Sequence, residues 1–430
     1  MEPVLKSVEN ERVHDEGGPD RPGRPRVAYL VMLYPALSQA FIVREVRALR
    51  ALGLDVSTYS IKHADRAALL AGADREEAAK TRVLLRPVPA ALADHLAALV
   101  RGPRVYLALL STALREGESS LRGKLRYLAV FFLAVRLWRA LDRDGVRHVH
   151  THFTGMQTHV AAFAARLGNG GRDKGAWSWS FTVHGPVEFF DVRYYRLSER
   201  LRQARFVACI SDFARSQAMA FTDREDWSKL HVVHCGVDDA FLAAGNAMSR
   251  GGRQEILSVG RLVPFKGQAI LISALRRLVE RGRDARLTLV GGGPLMDDLQ
   301  ELAAAEGVAD RVTFAGPVGQ DEMADYYRRA DVFCLASFAE GVPVVLMEAM
   351  ALGVPVVATR VGGIAELIDH GREGFVVPPA RPDVLADHLD RLLEDRALRA
   401  ELAGAARTKV LEEFHVRDAA KRLADLLLES

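Results

Sequence analysis

The sequence is poor in cysteine. Only 3 of its 430 residues are cysteines, Cys209, Cys235 and Cys334, and none of them belongs to a CxxC pair. This spacing excludes a disulfide framework, and it excludes a zinc or redox site built on paired thiols. A reducing compartment suits such a chain best.

Long apolar runs are also missing. The longest unbroken run, Tyr127 to Val135, is about half of the roughly 20 residues that a membrane-spanning helix needs. Residues 1–25 are rich in Gly, Pro and charge and lack the apolar stretch of a secretory signal, which predicts a disordered tail. We therefore expect a cytoplasmic protein, at most peripheral at the inner face of the membrane.

The composition is that of a globular protein, with 49% hydrophobic and 26% charged residues. A chain of this length exceeds one ordinary core, so two domains of roughly 200 residues are expected. The first half starts with a strand at 26–33, a helix at 39–52 capped by Ser38, and a strand at 55–61. A helical region at about 90–142 follows, and then strands at 146–151, 178–184, 205–210 and 230–234.

The alternation of strands and helices restarts after a small, turn-rich segment at 236–253, which predicts a linker. The predicted strands of the second half lie at 255–260, 286–291, 311–316, 332–337, 354–360 and 374–378. Their continuous apolar character indicates parallel sheets buried on both faces. We predict an α/β fold of two doubly wound, Rossmann-like domains, 26–235 and 254–408, facing each other across a cleft. The closing helix at 409–430 is expected to cross back to the first domain.

Two cations follow the first strand of the second half. Gly260 ends that strand, Arg261 follows it directly, and Lys266 precedes the next helix. Positive side chains beside the free N–H groups of a helix start predict a diphosphate site. Two solvated surface charges are the other interpretation.

Glycine clusters open two further helices. GGGP at 291–294, which contains Gly292, would let a ligand approach the backbone, although tight turns explain most such clusters. It lacks the spacing of a dinucleotide site and the ending of a P-loop, so it predicts neither NAD nor ATP binding. VGGIAEL at 361–367 favours either close packing of a loop against a ligand or a plain turn.

Two acids, Glu340 and Glu348, are separated by seven residues. Glu340 is expected on the loop after strand 332–337, and Glu348 in the second turn of a helix that opens at 341–343. Both carboxylates could then accept hydrogen bonds from vicinal hydroxyls, while the N–H groups of 341–344 face phosphate. That arrangement suits a nucleotide sugar. The other interpretation is one Glu favouring the helix dipole and one solvated Glu.

In this order, and with the run EGVPVVLMEAMALGVPVVATRVGGIAELI, these motifs resemble the retaining glycosyltransferases of family 4, which have the GT-B fold. The likeness covers 255–380, and the first half matches more loosely through His184-Gly185 and HCGVD at 234–238. It implies that the first domain binds an acceptor and the second a UDP- or GDP-sugar. The implied reaction moves the sugar to a glycan or lipid-linked acceptor with retention of configuration.

The resemblance also implies residue roles. Arg261 and Lys266 would hold the donor diphosphate, Glu348 the ribose hydroxyls, and Glu340 the hydroxyls of the transferred sugar. His184 would reach the sugar's 6-hydroxyl or the leaving phosphate, which completes a catalytic set of His184, Glu340, Arg261 and Lys266. The remaining donor-binding positions are Gly260, Gly292, Val318, Gly341, Val342, Pro343 and Val344.

No metal or cofactor is expected. The family usually works without a catalytic metal, since two cations and helix N–H groups can stabilise a departing diphosphate. The DxD triplet at 142–144 lies far from the donor motifs in sequence and is interpreted as a solvated loop. His150 and His152 point the same way on a strand but lack an evident third ligand, which favours a structural pair. No covalent nucleophile is evident, so the interpretation is a front-face displacement.

The first half departs from the commoner family pattern, which has a glycine-rich loop after the first strand. YPALSQAFIVREVRAL at 34–49 and HTHF at 150–153 resemble the branch that builds exopolysaccharides such as colanic acid. The acceptor-side residues would then be Ser38, Gln39, Glu45 and His152.

Residues 81–140 hold ten Lys or Arg against three Asp or Glu, and 122–141 adds Phe131, Phe132 and Trp138. Such a basic, aromatic helix can lie on an anionic membrane, where a lipid-linked acceptor would be found. A core helix with surface arginines is the alternative. No nucleic-acid-binding motif accompanies the charge, so no nucleic-acid partner is expected.

Two other functions on the same fold stay open. A nucleotide-sugar 2-epimerase needs a base and water in place of an acceptor. A non-catalytic nucleotide-sugar-binding protein is the second, although the intact Arg261, Lys266, Glu340 and Glu348 argue against it. Incubation with the donor alone separates an epimerase from a transferase.

Overall fold

The computed structural model describes residues 25–65, 69–85, 88–117, 120–243 and 254–429. The predicted tail, apart from residue 25, and residues 244–253 of the predicted linker lie outside the described residues. The described part contains two parallel sheets with helices between their strands. The predicted α/β fold is therefore confirmed.

The first sheet has seven strands in the described part, in the order β3-β2-β1-β4-β5-β6-β7, and each neighbouring pair is parallel. They are β1 (Arg26–Leu33), β2 (Asp55–Lys62), β3 (Arg82–Val83), β4 (His148–His152), β5 (Ser178–Val183), β6 (Val207–Cys209) and β7 (Leu230–Val232). The strand order reverses between β1 and β4. A crevice opens at the carboxyl ends of the strands around such a point.

The second sheet has six described strands in the order β10-β9-β8-β11-β12-β13, again parallel throughout. They are β8 (Gln254–Val259), β9 (Ala285–Val290), β10 (Val312–Gly316), β11 (Val332–Leu335), β12 (Val356–Thr359) and β13 (Phe375–Val377). The order reverses here between β8 and β11. The predicted cation loop therefore follows a strand at the switch point.

Helices cover both faces of each sheet. Those before the predicted linker are α1 (Ala40–Ala51), α2 (Gly72–Lys80), α3 (Val88–Arg101), α4 (Pro103–Glu116), α5 (Leu121–Asp144), α6 (Met156–Gly168), α7 (Val187–Phe190), α8 (Val192–Tyr195), α9 (Leu197–Gln203) and α10 (Asp212–Met219). Helix α11 (Asp239–Ala243) lies within the predicted linker, and its Phe241 packs in the core of the second domain. Those after it are α12 (Gln268–Glu280), α13 (Met296–Ala305), α14 (Gln320–Arg329), α15 (Val344–Ala351), α16 (Ile364–Leu367), α17 (Pro382–Glu394), α18 (Arg396–Glu413) and α19 (Val416–Leu428).

The start of α1 differs from the prediction. Ser38 lies in a 3-10 turn, Leu37–Gln39, and the residue at the N-cap of α1 is Gln39, whose side chain accepts no capping hydrogen bond. The N-cap role predicted for Ser38 is therefore wrong. The 3-10 turn satisfies the backbone there instead, through a hydrogen bond from the N–H of Gln39 to the carbonyl of Ala36.

The basic helix α5 is mostly a core helix. Phe131 and Trp138 are buried in the first domain, and of the three aromatic residues named above only Phe132 is exposed. The Ser120 hydroxyl accepts the N–H of Gly123 at the start of α5, and Gly145 ends the helix in the left-handed region. Two of the three aromatic side chains thus face the core, as the alternative interpretation expected, and Phe132 is exposed.

The last helix belongs to the first domain. Leu423 and Leu427 of α19 pack in one cluster with Val27 of β1 and Val43 of α1. The Arg205 guanidinium donates to the carbonyls of Leu426 and Leu427, each at 3.0 Å. The chain therefore crosses back after the second domain and closes the first.

Candidate functional site

The two domains meet backbone to backbone at the carboxyl ends of their sheets. A Cβ built on Gly341, after β11, would lie 2.0 Å from the carbonyl oxygen of His184, after β5. A Cβ on Gly185 would lie 3.0 Å from the nitrogen of Gly341. Only residues without side chains allow this approach, so the predicted His184 and Gly341 lie side by side across the cleft.

The glycine clusters of the second domain pack loop against loop. Gly291 has φ +133, and a Cβ there would lie 2.1 Å from the carbonyl oxygen of Gly260. Gly362 has φ +55, and its Cβ would lie 1.8 Å from the carbonyl oxygen of Glu340. These glycines thus hold the cation loop and the Glu340 loop in place by close backbone contact.

Lys266 and Glu340 form one pair of the site. The Lys266 Nζ lies 2.6 Å from Glu340 Oε1, and the Ser337 hydroxyl donates to the same oxygen at 2.6 Å. Arg261 is exposed, and its side chain makes no ion pair within the part of the chain that the structure describes. One cation of the predicted diphosphate site is therefore already bound to the acid, and the other is available.

Glu348 has a cationic partner from the other domain. Arg44, on α1, donates to Glu348 Oε1 at 2.7 Å, and the Tyr327 hydroxyl donates to Glu348 Oε2 at 2.8 Å. Arg44 also donates to the Gln320 side chain at 2.5 Å and lies 3.4 Å from an oxygen of Asp238. The carboxylate expected to bind ribose hydroxyls is thus held by an arginine in this structure.

The Arg44–Glu348 pair is buried. Arg44 is only 7% exposed. Burial alone would lower the pKa of Arg44, but the carboxylates of Glu348 and Asp238 raise it above its ordinary value. The Nη1 of Arg44 is buried without a hydrogen-bond partner. Arg44 therefore stays charged, and one of its donors is free.

Sequence reasoning missed Arg44. Its partner Glu348 lies 304 positions away, and no local pattern connects an arginine on the first helix to an acid of the second domain. The one signal was its place in the segment 34–49, beside the singled-out Glu45.

Two further contacts join the domains. Glu366, in the predicted VGGIAEL segment, accepts the backbone N–H groups of Asp212 and Phe213 at 2.8 and 2.7 Å. These are the first residues of α10, so an acid of the second domain caps a helix of the first. Asp321, at the start of α14, accepts the N–H of Gly72 at 2.9 Å.

The predicted acceptor-side residues Glu45 and His152 lie in one buried network with His184. Glu45 Oε1 accepts the Tyr29 hydroxyl at 2.7 Å and lies 3.1 Å from His152 Nε2. His152 Nδ1 lies 2.8 Å from His184 Nε2. Burial lowers the pKa of His184 well below its ordinary value, and His152 adds to this effect. Neutral His184 thus lies at the domain boundary.

The other acceptor-side residues are separate from this network. The Ser38 side chain is exposed, whereas the Gln39 Oε1 is buried without a hydrogen-bond partner. Gln39 occupies the N-cap position of α1, two residues before Phe41, whose ring lies 4.8 Å from that of His184.

Glu188 orders the backbone of this region and was not predicted. Its two carboxylate oxygens accept the N–H groups of Thr154, His184 and Gly185, at 2.5, 2.5 and 3.1 Å. Burial raises the pKa of Glu188, and these N–H groups act in the opposite direction. Glu188 therefore ties the loops after β4 and β5 together.

The predicted histidine pair has more neighbours than the sequence indicated. Ligand atoms of His150, His152 and Glu45 all lie within 4.8 Å of one another, so a third potential metal ligand does exist. Both ring nitrogens of His150, however, bond to the hydroxyls of Ser180 and Thr182, at 2.8 and 2.9 Å. Since both rings are fully engaged in hydrogen bonds, the arrangement fits a structural set better than a metal centre.

The DxD triplet is not the predicted solvated loop. Its acids lie in the last turn of α5, and Asp142 pairs with Arg101 at 2.5 Å. Asp144 accepts the Tyr59 hydroxyl at 2.7 Å and pairs with Arg82. Both carboxylates have structural partners within the first domain.

The remaining predicted donor-binding residues lie on loops after strands of the second sheet or at the start of α15. Val342 is buried in the core of the second domain, and Val318 packs partly buried against it. Pro343 occupies the N-cap of α15, and the first-turn N–H groups of Val344 and Val345 have no intrahelical partner. A Cβ on Gly292 would contact Pro317 at 3.1 Å. The start of α15 thus offers free donors beside Glu340.

Comparisons with known proteins converge on one family. A family model described as glycosyl transferases group 1 matches residues 246–409. The GDP-mannose-dependent alpha-(1-6)-phosphatidylinositol monomannoside mannosyltransferase of Mycolicibacterium smegmatis is 35% identical over 287 residues, which cover 62% of this chain and 74% of that protein.

Two other relatives match over shorter stretches. The mannosyltransferase of the same name from Mycobacterium tuberculosis is 39% identical over 184 residues, 41% of this chain, and the chain spans only 48% of its length. The amylovoran biosynthesis glycosyltransferase AmsK of Erwinia amylovora is 39% identical over 178 residues, which cover 40% of this chain and 44% of that protein.

Solved structures share the fold over nearly the whole chain. Anabaena HepE in complex with UDP and glucose superposes with a TM-score of 0.72 at 18% identity, covering 95% of this chain and 100% of HepE. A likeness at this identity shows the two-domain architecture.

Proposed function

This chain belongs to the group 1 glycosyl transferases, and on that premise we propose that it moves a sugar from a nucleotide-diphosphate sugar to a glycan or a lipid-linked acceptor. The proposal includes retention of the anomeric configuration and needs no metal ion. One observation carries it. Arg261, Lys266, Glu340 and the free N–H groups of α15 gather at the carboxyl edge of the second sheet, directly opposite His184.

The chemistry of these groups fits a departing diphosphate. Negative charge develops on the phosphate as the glycosidic bond to the donor breaks, and fixed cations with free N–H groups stabilise such charge. Lys266, one of these cations, also pairs with Glu340. The carboxylate of Glu340 is suited to accept hydrogen bonds from sugar hydroxyls. The residues of this chain thus supply charge stabilisation and orientation.

A front-face displacement fits the same geometry. The carboxylate of Glu340 is held by Lys266 and Ser337, so it is tied down rather than free to attack an anomeric carbon. In the proposed step the acceptor hydroxyl forms the new bond on the face that the phosphate leaves. The departing phosphate oxygen takes the hydroxyl proton, which balances the charge.

The names of the relatives support a proposal for the donor and acceptor classes. The mycobacterial proteins are named for GDP-mannose and a phosphatidylinositol mannoside, AmsK for amylovoran, and the HepE structure holds UDP and glucose. We therefore propose a GDP- or UDP-hexose as donor and an acceptor from surface polysaccharide or glycolipid assembly.

A membrane contact fits a lipid-linked acceptor. No described helix is long and apolar enough to cross a membrane. Helix α3, however, exposes Leu92, Leu96 and Val100 on one face, at 62, 63 and 76% exposure. Exposed cations without an ion pair in the described part lie on α4 and α5, among them Arg104 and Lys124. We propose that this apolar, basic surface lies against an anionic bilayer.

Calorimetry followed by turnover assays tests the transferase proposal. Binding of GDP-mannose and UDP-glucose is measured first, and then turnover with and without an acceptor. Lys266→Ala and Glu348→Ala are each expected to reduce turnover at least about tenfold, because one loses a phosphate contact and the other a ribose contact. Glu301→Ala, an exposed position on α13, is the control.

The outcomes separate the functions. Conversion of the donor into a second sugar nucleotide without acceptor would show an epimerase, and tight binding without any turnover would show a binding protein. Wild-type turnover in both site variants would contradict the site itself.

A further inference from the structure

Four elements of the first domain place a carboxylate and two imidazoles in series. Tyr29 lies on β1, Glu45 on α1 and His152 on β4, and His184 follows β5. Hydrogen bonds join the Tyr29 hydroxyl and Glu45, Glu45 and His152 Nε2, and His152 Nδ1 and His184 Nε2. His152 is fully buried. This series ends at the domain boundary.

The first bonds decide where the proton of His152 lies. Burial raises the pKa of Tyr29 well above its ordinary value, and Glu45 adds to this, so Tyr29 is a donor. The Glu45 carboxylate accepts the Tyr29 hydroxyl and can only accept again from His152. In the neutral form of the His152 imidazole, the single N–H must therefore lie on Nε2.

The hydrogen bond between His152 and His184 then determines where the proton of His184 lies. With its proton on Nε2, His152 offers a lone pair at Nδ1, which has to receive an N–H from His184 Nε2. His184 is neutral because burial lowers its pKa. Its single proton is thereby used on Nε2, and Nδ1 of His184 carries a lone pair.

The surroundings fix the His184 ring and leave Nδ1 available. The rings of Phe153 and Phe41 lie 4.4 and 4.8 Å from it. Across the described ranges no residue makes a hydrogen bond to Nδ1. Among the described residues, the titratable groups that contact His184 are His152 and, through the backbone N–H, Glu188. His150 lies behind His152 at a ring distance of 5.2 Å.

We propose that Glu45 and His152 are positioning residues that fix the proton of His184 on Nε2, so that Nδ1 accepts a hydrogen bond from a substrate hydroxyl. In that state His184 has no donor to offer the departing phosphate, and a lone pair facing a phosphate oxygen is repulsive. Of the two roles that the family resemblance left for His184, the network selects the hydroxyl. The identity of that hydroxyl, the 6-hydroxyl of the donor sugar, rests on the proposed function.

Nitrogen-15 NMR of the histidine rings tests the proton positions without any substrate. The signals are assigned by their loss in His152→Gln and His184→Gln. We expect a protonated Nε2 and an unprotonated Nδ1 in both rings of the wild type. A doubly protonated His152, or a proton on Nδ1 of His184, would overturn the proposal whether or not the protein transfers sugars.

Two variants of Glu45 separate this role from packing and from charge. Glu45→Gln retains an acceptor oxygen for His152, and we expect kcat within about threefold of wild type and unchanged ring nitrogens. Glu45→Leu fills the space without an acceptor, and kcat should fall about 10²-fold with little change in the donor KM. Equal losses in the two variants would overturn the proposal, because a charge rather than an acceptor would then be needed.

A donor without the 6-hydroxyl tests the last step. Wild type should use GDP-mannose about tenfold better than GDP-6-deoxymannose, and Glu45→Leu should lose that preference. If the wild type lacks the preference, the 6-hydroxyl assignment is wrong even where the NMR result holds. If neither GDP-mannose nor UDP-glucose is turned over, the proposed function fails while the ring protonation is still measured.

Discussion

Gly341 is the residue at which the smallest change should have the largest effect. A methyl group there would lie 2.0 Å from the His184 carbonyl oxygen and 2.7 Å from Ile210 Cδ1. We expect Gly341→Ala to force the domains apart and to reduce turnover more than about tenfold, because a displacement of 1 Å at a site can cost 10²-fold. Turnover and small-angle X-ray scattering check this.

Gly404→Ala is the matched control for Gly341→Ala. Gly404 lies inside α18, and a Cβ there meets nothing within 4 Å. Alanine in a helix interior is more stable than glycine by about 0.5–1 kcal/mol, so the melting temperature should rise or stay unchanged. Full activity in Gly341→Ala would contradict the assigned role of the close approach.

At the residue scale, local spacing in the sequence was enough to predict the donor-binding residues. It did not predict the residues from distant parts of the chain that pair with them. Lys266 and Glu340 stand out because each lies between a strand and the next helix, and Glu348 stands out by its spacing from Glu340. Arg44 and Glu188 do not, since the groups they bind are set by tertiary packing. An acid expected to be free can therefore turn out to be paired, as Glu348 is with Arg44.

At the scale of one element, the exposed apolar side chains of helix α3 lead to a prediction about membrane binding. We expect the variant with Leu92→Ser, Leu96→Ser and Val100→Ser to bind vesicles of phosphatidylglycerol and phosphatidylcholine at least about fivefold less than wild type, because these side chains supply the apolar contact. Cosedimentation measures the bound fraction.

The control for the vesicle experiment is Leu411→Ser. Leu411 is also an exposed leucine, but it lies on α18 in the second domain. Equal vesicle binding by wild type and the α3 variant would show that this helix does not contact the bilayer.

Strands were more predictable than helix ends or helix faces. Short apolar runs without polar alternation identify buried parallel strands, and the predicted ends agree with the observed ones within two residues. β3 has only two residues and was not predicted. Ser38 looked like an N-cap because its type suits one, yet a 3-10 turn precedes α1. The buried face of α5 depends on packing against α6, which a basic, aromatic composition does not encode.

For the whole molecule, the Arg44–Glu348 pair is the testable link between the domains. Arg44→Met frees the carboxylate that is proposed to bind ribose, so we expect a tighter donor complex, with a dissociation constant at least about threefold lower. The same variant should have a larger radius of gyration without donor, since a buried ion pair across the cleft is lost. Calorimetry and small-angle X-ray scattering measure the two effects.

Arg47→Met is the control for Arg44→Met. Arg47 lies on the same helix and is exposed. Weaker donor binding in Arg44→Met, with Arg47→Met unchanged, would instead identify Arg44 as a donor ligand and contradict its competition with the donor.

The position of α19 has a consequence for how the protein is made. Leu423 and Leu427 complete the apolar cluster around β1 and α1, yet they are translated after the entire second domain. A ribosome must therefore synthesise the second domain and α19 before the first domain can bury its last surface. Until then α1 keeps an uncovered apolar stripe that chaperones can recognise, and any fragment or chimera of the first domain needs this helix supplied with it.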